Sequence, residues 1–282
     1  MNRSLVSAAV IVFLCVSVSH ALNYGTEFTG AYWKMDAKDL NKSKAYVLSG
    51  AYYNSANDYA TTNADVSQNS LSGAASFFVE GDSDWRLGAA VGFGMMPNVS
   101  YVGGYNAYYN GSYEDTYTYT EELENKANYV PVDLYVKYKP ADSGFSLFGG
   151  AGADYIMAST KIYEHDKEIL NNSGVVTVNT WDMYGTFTQN KVVPHVQAGA
   201  ELYISKWLAL GVGAKYVFGG VLDDLTGNVT ENGVYQGKNR LIMSGGDHFA
   251  YQNTADALAP GDSKFKYDFS GLRINISLRA YF

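Results

Sequence analysis

The sequence predicts an all-β chain: a closed antiparallel up-and-down transmembrane barrel of about eight strands with four long extracellular loops. Three observations predict it. First, Gly271 to Phe282 alternates without a break. Leu272, Ile274, Ile276, Leu278, Ala280 and Phe282 fall on one face, and Arg273, Asn275, Ser277, Arg279 and Tyr281 on the other. Successive side chains on a strand point to opposite faces, so this strand meets two different surroundings, and a run of about 9–11 residues is what a tilted strand needs to cross hydrocarbon. Second, the composition is rich in tyrosine (25) and glycine (29) and poor in proline (5), and beyond residue 21 no apolar run reaches the ~20 residues of a membrane helix. Third, the connections between alternating segments are short and long by turns, the rhythm of tight periplasmic turns and long outer loops.

Met1 to Ala21 reads as an export signal: Asn2-Arg3 gives the positive start, Val6 to Val18 the apolar centre, and Ser19-His20-Ala21 the cleavage site, with small residues at its first and last positions. Cys15, the only cysteine, leaves with it, so residues 22–282 are expected to form one barrel domain without disulfides.

The wall segments follow in order. Asn23 to Met35 alternates Thr26, Phe28, Gly30 and Tyr32 against Glu27, Thr29, Ala31 and Trp33. A polar stretch to Ser70 contains a strand-like piece, Ala45 to Tyr53. Leu71 to Glu80 turns Leu71, Gly73, Ala75, Phe77 and Val79 outward, and Gly81 to Asp84 reverses it into Trp85 to Met95, with Arg86 inward. After an acidic, tyrosine-rich excursion, Tyr129 to Lys139 faces Val130, Val132, Leu134, Val136 and Tyr138 to lipid and Asp133, Tyr135 and Lys137 inward. Pro140 to Gly144 turns the chain into Phe145 to Met157, with Asp154 inward. A long loop is expected to about Asn190, then Val192 to Ile204 carries His195, Gln197 and Glu201 inward. Ser205-Lys206 turns into Trp207 to Phe218, with Lys215 inward, and the longest loop, about Gly219 to Lys264, precedes a closing strand from about Phe265. Both termini then fall on the periplasmic side.

The signal, the alternating walls, the loop rhythm and the terminal Phe282 resemble the small eight-stranded outer-membrane barrels, the group of the OmpA-like transmembrane domain, OmpX and OmpW. The resemblance covers essentially all of residues 22–282. It implies location in the bacterial outer membrane and recognition by the barrel-assembly machinery through Phe282. It also leaves two functions open: a structural or surface-interaction role touching lipopolysaccharide, or a narrow channel or small-apolar-solute conduit like OmpW.

The residues narrow the chemistry. The chain carries net charge −8, which argues against nucleic acid. A lipid-facing Arg or Lys near mid-membrane costs roughly 2–4 kcal/mol, so Arg86, Asp133, Lys137, Asp154, Glu201, Lys215, Arg273 and Arg279, all on the inward phase, are expected to form a charge network in the lumen. Glu114, Asp115, Glu121, Glu122 and Glu124 are candidates for divalent-cation contact with phosphorylated lipid, because hard cations prefer carboxylate oxygens. Tyr101, Tyr105, Tyr108, Tyr109, Tyr113, Tyr117 and Tyr119 suggest a surface ligand or pairing within a hairpin. Asp247-His248 lacks a nucleophile, His195 and Glu201 lie too far apart on one strand to touch, and no His or Cys spacing suits a metal. Neither an enzyme nor a cofactor is expected.

Overall fold

The computed structural model describes residues 22–33, 36–48, 59–110, 114–141, 143–246 and 248–282. The expected export signal and Asp247 lie outside them. In chain order the elements are β1 (Leu22–Trp33), α1 (Lys38–Leu48), β2 (Tyr59–Gln68), β3 (Leu71–Gly81), β4 (Trp85–Met95), β5 (Val99–Asn110), β6 (Glu114–Tyr138), β7 (Phe145–Asn172) and β8 (Val175–Ser205). Then come β9 (Leu208–Val217), β10 (Val221–Leu222), β11 (Thr226–Glu231), β12 (Val234–Ser244), β13 (His248–Asn253), β14 (Ser263–Lys264), β15 (Tyr267–Asp268) and β16 (Gly271–Tyr281). The expectation of about eight strands is corrected: the described residues form sixteen.

Eight of them pair in a ring. The antiparallel ladder runs β1, β3, β4, β6, β7, β8, β9, β16 and returns to β1, where Gly25 lies opposite Tyr281 and Trp33 opposite Arg273. Closure leaves no unpaired edge in this part of the sheet, so its backbone donors and acceptors satisfy one another. Alternation decides which face closes inward. On β16, Leu272, Ile274, Ile276 and Leu278 are exposed outside the ring while Arg273, Arg279 and Tyr281 are buried within it. The same outer face carries Phe28, Leu87, Phe93, Leu134, Leu147, Val196, Leu210 and Val212, an exposed apolar band on every wall of the ring. Trp85 beside Tyr138 (ring centroids 4.6 Å apart) and Trp207 flank it at the end that holds the termini. Among the described residues no helix is long and apolar enough to cross a membrane.

At the far end, the stretches expected as loops are largely sheet. β6, β7 and β8 run 25, 28 and 31 residues, roughly two to three times the length needed to cross hydrocarbon, and β7 turns into β8 at Ser173-Gly174, both with positive φ. There β2, β5, β6, β7, β8, β11, β12 and β13 pair side by side into a second sheet continuous with the ring. β16 starts at Gly271, later than expected, because the preceding segment goes inside: Phe265, Tyr267 and Phe269 are fully buried.

Of the strand-like piece expected at Ala45 to Tyr53, Ala45 to Leu48 instead form the last turn of α1, and 49–53 lie outside the described residues. The Asp36 carboxylate accepts the Lys38 amide at 3.0 Å, satisfying one free donor of the first turn, and Ala37 and Leu40 pack into the core. The helix touches β2, β5 and β13 and so stands at both open edges of the second sheet. Ser43 Oγ accepts the Phe249 amide at 3.1 Å and Asp39 the Lys266 amide at 3.0 Å. Beneath the helix, Trp33, Tyr101, Leu123, Ile156, Phe187, Val217 and Phe249 join the buried Phe265 and Phe269 in one apolar core.

Candidate functional site

The interior of the ring is the chemically distinctive region, and its charges lie in two layers. Near the termini, Glu80 meets Arg86 Nη1 at 2.9 Å and Lys137 Nζ at 2.6 Å, and accepts the Tyr135 hydroxyl at 3.2 Å. Glu201 meets Lys137 Nζ at 2.8 Å and Arg279 Nη1 at 2.8 Å, and Arg279 Nη2 reaches Glu27 at 2.8 Å. Three carboxylates and three bases thus neutralise one another across β1, β3, β4, β6, β8 and β16. Each ion has given up water, so the layer is sustained only because every member has partners.

The second layer lies toward the far end. Asp133 Oδ1 is 2.6 Å from His195 Nε2, 3.0 Å from Gln197 Nε2 and 3.4 Å from Lys215 Nζ. Asp154 is 2.9 Å from Arg273 Nη1, 3.3 Å from His195 Nδ1 and 3.7 Å from Lys215. The Arg273 guanidinium lies 3.0 Å from the centre of the Trp33 ring, so this layer abuts the apolar core.

Between the layers is a cavity of ≈ 60 Å³, with Ala31, Ala74, Ser76, Ala90 and Ser277 on its walls. Inward glycines do not enlarge the lumen throughout. A Cβ on Gly88 would lie 2.3 Å from the Tyr135 ring, and one on Gly94 2.5 Å from the Tyr129 ring, so both glycines make room for tyrosines that fill the interior.

All eight charges expected to face the lumen are buried: Arg86, Asp133, Lys137, Asp154, Glu201, Lys215, Arg273 and Arg279. Sequence reasoning left Glu27, Glu80 and His195 out of that set. The omitted acids had a signal, because Glu80 shares the inward phase of Phe78 and Glu27 that of Ala31 and Trp33. Arg273 does not pair with an adjacent strand: Asp154 sits on β7, three strands away around the ring.

The five acids proposed for cation contact are not brought together. Alternation along β6 turns Asp115 and Glu121 inward and leaves Glu114, Glu122 and Glu124 outside, where Glu124 pairs with Lys126 at 2.7 Å. Among the described residues no group of three or more His, Cys, Asp or Glu is arranged to hold a metal. The tyrosines behave similarly: Tyr101 is buried, and Tyr105 stacks within 5.6 Å of Tyr117 and 5.3 Å of Tyr119. Glu121 accepts hydroxyl hydrogens from Tyr101 and, at 2.7 Å, from Tyr119. Burial pushes the Glu121 carboxyl up from its ordinary range, opposed by those two hydroxyls. Glu164, opposite Glu121 across the strand pair, is pushed up to about 8 by burial and then by Glu121, Asp166 and Glu231.

No protein-family model matches the chain, and no curated protein is similar to it in sequence. Solved structures give distant likenesses. The crystal structure of the outer membrane protein OprG from Pseudomonas aeruginosa is 10% identical, with a TM-score of 0.35 over 93% of this chain and 95% of that one. The outer-membrane expressed OmpT of Vibrio cholerae is 8% identical, with a TM-score of 0.17 over 94% of this chain and 99% of that one. A deltaS2 mutant of the TodX monoaromatic hydrocarbon channel is 9% identical, with a TM-score of 0.19 over 95% and 92%. At these values the likenesses carry no weight for function, and they do not place the chain in the OmpA, OmpX and OmpW group.

Proposed function

We propose that the chain is a bacterial outer-membrane barrel that plugs its own lumen and displays a folded sheet at the cell surface, serving a structural or surface-interaction role. The exposed apolar band around a closed ring supports the membrane setting: a soluble monomer rarely exposes more than a few hundred Å² of contiguous apolar surface. Residues 1–21 act as the export signal, the termini face the periplasm, and the seam strand ending in Phe282 is what the assembly machinery grips. Lipopolysaccharide is the natural neighbour of the outer band.

The observation that carries the plugged reading is the stacking of closures in the lumen: the Glu80–Lys137–Glu201–Arg279 layer, the Asp133–His195–Asp154–Arg273 layer, and the apolar core beyond. An eight-stranded ring is just wide enough for its side chains to fill it. Single-channel recording in planar bilayers tests the proposal. The native barrel is expected to show almost no conductance, and Arg279→Ala or Glu201→Ala to open a measurable leak. A large, steady native conductance unchanged by either substitution would favour the channel reading.

A further inference from the structure

The cavity between the two charge layers has one feature that packing does not explain. Arg273 is 2% exposed, and it approaches Asp154 through Nη1, 2.9 Å from Oδ2. Its Nε and Nη2 have no hydrogen-bond partner among the described residues. These two atoms form one edge of the guanidinium, and their hydrogens project side by side, the spacing that matches two oxygens of a single carboxylate, carbonate or phosphate. Arg273 lines the cavity and keeps these two donors unpaired, the pattern of an oxyanion receptor.

Asp154 stands at the Nη1 corner of the guanidinium, and the other carboxylates of the lining are engaged elsewhere. Asp133 is held by His195, Gln197 and Lys215, and Glu27 by Arg279. The ring interior balances five acids (Glu27, Glu80, Asp133, Asp154, Glu201) with five bases (Arg86, Lys137, Lys215, Arg273, Arg279). His195 lies among them, with Nε2 2.6 Å from Asp133 and Nδ1 3.3 Å from Asp154. Asn275 and Ser277, the next inward positions after Arg273 on β16, add polar groups to the wall.

We propose that this cavity binds one small oxyanion, gripped two-pronged by Arg273. At ≈ 60 Å³ the space takes an ion of about four or five heavy atoms, since a single water needs roughly 10–15 Å³ on this measure. The site stands whether or not the barrel conducts, because it depends on the Arg273 edge and the cavity rather than on closure of the lumen.

The test uses the full chain folded into detergent in the presence of selenite, a small three-oxygen anion visible by its anomalous scattering. A selenium peak within hydrogen-bonding reach of Arg273 Nε and Nη2 is expected. Arg273→Lys, which keeps the charge but removes the fork, is expected to weaken binding at least tenfold, as is Asn275→Asp, which puts a negative charge on the cavity wall and leaves every ion pair in place. If Arg273→Lys fails to fold, the native map and Asn275→Asp decide alone. Water alone in the cavity, selenium only at surface positions, or binding that survives both substitutions overturns the proposal.

Discussion

Lys137 and Tyr281, 144 residues apart in sequence, meet inside the ring, with Nζ donating to the tyrosine hydroxyl at 3.0 Å. The same ammonium touches Glu80 and Glu201, so one lysine on β6 ties β3, β8 and the final strand together. We predict that Lys137→Ala destabilises the barrel by roughly 3–5 kcal/mol, the usual cost of stranding buried carboxylates. Thermal unfolding in detergent, read as the loss of heat-modifiable gel mobility, measures it. A variant as stable as the native protein would mean that water reaches this layer.

Gly25 marks the seam where the first and last strands of the ring pair. A Cβ there would lie 1.9 Å from the Ala280 carbonyl oxygen and 2.8 Å from Phe78 Cζ. Because the nearest obstacle is backbone, Gly25→Ala is predicted to lose at least the ~1–3 kcal/mol of an overpacked core site, and to leave the seam open. Heat-modifiable mobility should fall or vanish in Gly25→Ala but persist in Gly30→Ala, whose added methyl meets nothing within 4 Å.

The far-end sheet should respond to pH through Glu164. Its carboxyl is raised in the folded state to about 8, first by burial and then by neighbouring acids, so the folded chain holds a proton that the unfolded chain releases from about pH 4.5 upward. This contribution to stability is therefore fully present below the unfolded value and is lost as pH rises through about 8. Hydrogen exchange in β7 and β8 should quicken over that window, and Glu164→Gln should flatten the dependence. An unchanged profile in the variant would assign the pH response elsewhere.

The α1 contact is open to a separate test. Ser43→Ala leaves the buried Phe249 amide without its acceptor, a loss of about 1–3 kcal/mol in local stability. Faster exchange of that amide and earlier proteolytic cutting near the helix are expected, with the ring itself unaffected.

The ring was legible because its strands separate two surroundings, and a period of two follows wherever one face is apolar and the other polar. That logic weakens beyond the bilayer band. In β6, Thr116 to Glu122 puts Tyr117, Tyr119 and Glu121 inward against Thr118, Thr120 and Glu122 outward, polar groups on both faces, so the alternation there offered a hairpin only as one alternative within an expected loop. The helix escaped for a different reason: Ala45-Tyr-Val-Leu48 is a short apolar run equally compatible with either state, although Asp36 ahead of Lys38 was a usable start signal. Glu80 was read as the end of a wall beside a turn, and its central place among Arg86, Lys137 and Tyr135 depends on side chains from two other strands that no local pattern reveals.

Helix α1 sits where the second sheet would otherwise end in two free borders, β2 and β13. A bare border is a template onto which a strand from a neighbouring molecule can zip, and molecules held in one leaflet meet side by side far more often than molecules in solution. With the helix seated against both, these two borders offer no docking rail to a copy of the molecule, and among the described residues the side left open lies at the tip of the β7–β8 hairpin, along Val175 to Thr180.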